Sequence, residues 1–165
     1  MMRSALAIGG AALVAMVLQT TVFPRLGGES LIVPNLVLVL VVYLGLHHHG
    51  ASGALGAFLL GYFLDTFAGT ALGVHAFAST VAYGAVVLVA QTVWVGAGIP
   101  AALLVFGAGC VHALGTATVG ALMEASGGLW RHALRYGVLD ATAAALLSPF
   151  VFRFLAWEER VLGGE

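Results

Sequence analysis

The chain has 165 residues, of which 61% are hydrophobic and 8% charged, with a net charge of −1, whereas an ordinary soluble domain carries about 25% charged residues. Six arginines, no lysine and seven acidic residues cannot cover a water-facing particle of this size, so the surrounding medium is lipid. The basic residues stand singly, which excludes a nucleic-acid-binding patch, and a single cysteine, Cys110, excludes both an intramolecular disulfide and a thiolate metal cluster.

A membrane-spanning helix needs about 20 mostly apolar residues, and six stretches approach that length. The first, residues 4–22, stops near Pro24 and the turn at 25–29. It follows Arg3 in the manner of a signal peptide, yet Gln19-Thr20-Thr21-Val22-Phe23-Pro24 offers no small-residue cleavage site, so it reads as a retained helix. The second, 31–46, carries Pro34 in its first turn, where a missing N–H costs nothing. His47, His48, His49 and Gly50 separate it from the third, 51–67, which ends at Gly69. Both are short, and short spans thin the membrane, sink among their neighbours or form a tight hairpin.

The fourth stretch, 72–95, and the fifth, 99–123, are long enough to cross with tilt, and the sixth, 133–157, contains Pro149, where a bend is expected. Connections are short except for 124–132, and no internal repeat is visible. Six spans place both termini on one side, which then carries Arg3, Arg153 and Arg160 against Arg25, Arg131 and Arg135 on the other. The positive-inside rule therefore gives a tie. The whole chain reads as one all-α membrane domain, residues 1–165, with no soluble part large enough for chemistry of its own.

Ionisable groups inside a bilayer cost kilocalories each and ask for an explanation. Asp65 closes the third stretch, and stepping back by four gives Gly61, Ala57 and Gly53, a ladder of small residues along one helix face. Such a face admits another helix closely, either from the same chain or from a partner. The Asp65 carboxylate itself suits a cap on the helix that begins near Leu72, or a bond to the Gly69 turn.

The fourth stretch carries His75, Ser79 and Tyr83 at four-residue steps. The fifth carries His112 and Thr116, leading through Gly120 to Glu124, and the sixth carries Tyr136, Asp140 and Ser148 with Ala144 between. These stripes are expected to point inward together, forming either a polar cavity or proton path, or a buried hydrogen-bond network that specifies packing. His47, His48 and His49 point in different directions on a helix and have no carboxylate or thiol nearby in sequence, so they read as a solvated interfacial turn.

Gly50-Ala51-Ser52-Gly53 matches the GxSG motif of rhomboid intramembrane proteases, whose serine pairs with a histidine on another helix. Here the serine lies beside an interfacial turn, and the long first loop of rhomboids is missing. No catalytic, cofactor-binding or metal-binding residue is assigned.

Gln19 near the end of the first helix, Pro34-Asn35-Leu36 opening the second, and the core from Gly53 to Phe77 carry a resemblance. That core combines a glycine-rich short helix ending in Asp65, the small-residue turn Ala68-Gly69-Thr70-Ala71, and the pair Leu72-Gly73 before the next helix. The chain resembles the MreD family of rod shape-determining proteins. The resemblance implies a six-helix bundle like the substrate-binding components of energy-coupling-factor transporters, with cytoplasmic termini in the bacterial inner membrane. It also implies a complex with the bitopic protein MreC, and through it regulation of the RodA glycosyltransferase and its class B penicillin-binding protein in sidewall peptidoglycan synthesis. The competing expectation is a small-molecule-binding transport component that uses the polar stripes as a ligand pocket.

Overall fold

The computed structural model describes residues 2–22, 34–68, 71–92, 98–123 and 129–163. Among them are six helices and no strand: α1 (Met2–Val17, continued by a π-helical turn, Leu18–Val22), α2 (Leu36–His47), α3 (Ala51–Ala68), α4 (Val74–Thr92), α5 (Ile99–Met123) and α6 (Leu129–Gly163).

Local chemistry explains where these helices start. The Asn35 side chain accepts a hydrogen bond from Leu38 N at 3.0 Å, so α2 begins after Pro34-Asn35 rather than before it. Gly73, with φ of +100°, turns the chain just ahead of α4 in a conformation that a side chain would strain. The sixth helix is longer than expected and runs without a break through Pro149. Proline removes the N–H that would reach the carbonyl of Ala145 four residues back. The Ser148 hydroxyl donates to that carbonyl at 2.8 Å instead, which matters where no water can serve.

The helices form a closed ring around a central one. α3 packs on α4, α4 on α5, α5 on α6, α6 on α1 and α1 on α3, while α2 touches all five. Every residue of α2 from Leu36 to Gly45 is buried, as expected of a helix that is apolar on all sides. Leu36, Val37, Leu40, Val41 and Leu44 join a cluster with α1, α3 and Leu155 of α6. Leu38, Val39 and Val42 join a second with Val86 of α4, Val105 and Ala108 of α5 and Ala144 of α6.

α4, α5 and the Arg135–Trp157 part of α6 are long and apolar enough to cross a membrane; α2 and the Ala51–Phe67 part of α3 are apolar but shorter. The described residues thus form six helices, three of them of crossing length. At about 1.5 Å per residue, α2 is roughly 18 Å long against a hydrocarbon core of about 30 Å. Its neighbours, not lipid, surround it. Outward-facing residues such as Leu103, Leu114, Leu146 and Phe150 are exposed and apolar, as a lipid-facing surface requires.

Candidate functional site

The ladder on α3 faces inward. A Cβ built at Gly61 would meet the His75 carbonyl oxygen and lie 2.6 Å from Ala76 Cα, so α3 and the first turn of α4 touch backbone to backbone. At Gly53 a Cβ would collide with the His48 carbonyl and the Tyr83 hydroxyl. Ala57, between them, is fully buried. The face of Gly53, Ala57, Gly61 and Asp65 is therefore occupied by α4 and the α2–α3 turn.

Asp65 is 0% exposed and sits at the N-terminus of α4. Its Oδ2 accepts from Gly73 N at 2.9 Å and from Ala76 N at 3.2 Å, and its Oδ1 accepts from His75 N at 3.0 Å. First-turn N–H groups have no partner within their own helix, and the helix dipole favours an anion there. A carboxylate supplied by one helix thus caps the next and fixes the angle between them.

The backbone that Asp65 anchors carries His75. Its ring lies nearly parallel to that of His112 on α5, with centroids 5.4 Å apart and planes 13° apart. His112 is 6% exposed. Nδ1 of His75 and Nε2 of His112 are both buried without a hydrogen-bond partner among the described residues. Ser79, one turn further along α4, is also buried. Close approach of α4 and α5 is permitted by Gly115, whose Cβ would lie 3.1 Å from Ala78.

Tyr83 lies at the middle of α4 and faces the α2–α3 turn. Its hydroxyl reaches two carbonyls of the α2–α3 turn, His48 at 2.8 Å and Gly50 at 3.1 Å, and its single proton is directed at that pair. His75 and Tyr83 share a helix face, but eight residues of rise, about 12 Å, separate them. Ser148 uses its hydroxyl on its own helix, and Asp140 lies half-buried on α6. The residues of the polar stripes are therefore distributed: His75 meets His112 beside Asp65, while Tyr83 and Ser148 serve separate backbone carbonyls.

His47 is exposed, stacked on Tyr43 with ring centroids 4.1 Å apart, and its Nδ1 lies 3.0 Å from the Tyr43 carbonyl oxygen. Among the described residues no three histidine, cysteine or acidic side chains are grouped to hold a metal. Ser52 is exposed on the first turn of α3. Thirteen residues separate it from Asp65, which places the His75 end of the bundle about 20 Å away along the helix.

One contact escaped the four-residue counting. A Cβ at Gly109 would lie 2.5 Å from Ala141 Cβ, and one at Gly137 would lie 2.5 Å from Ala113 Cβ, so α5 and α6 run antiparallel in close contact. Gly109, Ala113 and Ala117, against Gly137, Ala141 and Ala145, show the same spacing as the α3 ladder. That repeat was the available signal. A second feature is Gln19, in the π-helical turn that ends α1, whose Oε1 is buried without a hydrogen-bond partner among the described residues.

Against known proteins, the model of one family, described as rod shape-determining protein MreD, matches residues 4–157. No curated protein and no solved structure matches.

Proposed function

Because the chain belongs to the MreD family of rod shape-determining proteins, we propose that it is a non-enzymatic, multi-pass scaffold of the bacterial inner membrane. In this reading it binds a bitopic partner of the MreC type. Through that partner it supports regulation of the RodA glycosyltransferase and a class B penicillin-binding protein during sidewall peptidoglycan synthesis. The family match over residues 4–157 is the observation that carries the reading. Two features support it. The Asp65 and Tyr83 side chains hold helices to one another, and helices of crossing length make up much of the chain.

Since α4 occupies the small-residue face of α3, the partner's transmembrane segment belongs on an outward surface. Leu55, Phe58, Leu59, Tyr62, Phe63 and Phe67 form the opposite, exposed face of α3 and are one such surface. Co-expression with the partner and capture through a tag on it tests the proposal in mild detergent. Recovery of this chain, abolished by polar substitutions on an outward face and unaffected by inward ones, supports it. Failure to recover it, together with normal cell shape in a strain lacking it, overturns it.

A second reading, a membrane component that binds a small molecule like the substrate-binding parts of energy-coupling-factor transporters, draws on the unpartnered nitrogens of His75 and His112. A co-purifying ligand and an associated ATPase would establish it.

A further inference from the structure

Nδ1 of His75 and Nε2 of His112 are buried between two helices of crossing length, on rings 5.4 Å apart, and the two nitrogens do not bond each other. A neutral imidazole carries one N–H and one lone pair, and each of these loses free energy when buried without a partner. In a bundle surrounded by lipid, no bulk solvent relieves that loss.

We propose that the α4–α5 interface holds a bound water, hydrogen-bonded at once to Nδ1 of His75 and Nε2 of His112. Two hydrogen bonds of about 2.9 Å meeting at one oxygen join groups roughly 4.7 Å apart, and the ring centroids here lie 5.4 Å apart. A buried water typically makes about three hydrogen bonds, and the buried Ser79 hydroxyl, one turn along the same helix, adds a third polar group. A metal ion fits the site less well. Two histidines fall short of the three protein ligands that zinc sites use, and the nearby Asp65 already accepts three backbone N–H groups. The consequence is a polar chain across three helices: Asp65 ties α3 to α4, and the water ties α4 to α5.

The test is histidine-selective 15N labelling of the intact protein in lipid nanodiscs, with magnetisation transferred from water to the ring N–H groups. His75 and His112 resonances are assigned by substituting each in turn. Transfer to both rings is expected. His75→Asn keeps a polar atom near the place of Nδ1, and His112→Gln keeps one near the place of Nε2, so each is expected to preserve transfer at the partner ring. His75→Leu and His112→Leu remove it and lower the detergent melting temperature by about 5 °C. Absence of transfer in the wild-type protein overturns the proposal, whatever the variants do. So does a direct N–H···N coupling between the two rings, or a matched shift of both rings on adding Zn²⁺ alone.

Discussion

Asp65 satisfies three backbone N–H groups at the start of α4 from a position closed to solvent. Hydrogen bonds to a charged group contribute about 1.5–3 kcal/mol each, and stranded donors cost more in a buried site. Asp65→Ala is therefore expected to lower stability by about 3 kcal/mol or more. Asp65→Asn should be intermediate, because the amide keeps one acceptor but turns an N–H₂ toward other donors. Chemical unfolding in detergent micelles measures both, and wild-type stability of the alanine variant would remove the cap from the account. Ser52 is the opposite case. It is exposed and far from the buried histidines, so Ser52→Ala should change stability by less than about 0.5 kcal/mol and leave cell-shape complementation intact. Loss of complementation at normal expression would revive a nucleophilic role.

Between helices, small residues matter more than large ones. In lipid, association lacks a water-driven gain and depends on close backbone contact. At Gly61 even a Cβ would reach the backbone of His75 and Ala76, whereas Leu60 packs in a buried apolar cluster. Gly61→Leu should then cost more than Leu60→Ala, reversing the usual order for a water-soluble core, where Leu→Ala costs about 2–5 kcal/mol. Thermal melting of the two variants decides it, and equal losses would place Gly61 away from α4. The α5–α6 contact predicts a similar penalty: Gly137→Leu should destabilise by about 1–3 kcal/mol through overpacking against Ala113. Val138→Leu, at an exposed position on the next residue, should leave melting unchanged. If both are tolerated alike, the two helices do not approach as described.

For the whole molecule, the closed ring around α2 sets which ends of the helices meet. The antiparallel contacts Gly61 with Ala76, Gly115 with Ala78 and Gly137 with Ala113 put Asp65 and His75 at one end. The α2–α3 turn and the C-terminal end of α6 lie toward the other, with Tyr83 at the middle of α4. In the six-span reading three arginines fall on each side and give no orientation by charge, so cytoplasmic termini are an expectation of the proposed scaffold reading alone. A fluorescent protein fused after residue 165 should therefore fluoresce, and alkaline phosphatase at the same point should be inactive. The reverse pattern would invert the proposed topology.

Hydropathy and spacing determined that the chain is helical and suited to lipid, and they delimited α5 to the residue. The four-residue steps on α3 and α4 also identified which residues share a face. Pairing was another matter. Asp65 finds its donors 8 to 11 residues ahead, across a turn, and Tyr83 finds its acceptors 33 and 35 residues back. A period of 3.6 residues fixes the direction of a side chain around its own axis and carries no information about what stands opposite. That α2 is the enclosed helix, that Gly53 must clear the Tyr83 hydroxyl, and that His75 lies beside His112 while Tyr83 does not were decided by tertiary packing. Only there are the register and ends of different helices set against one another.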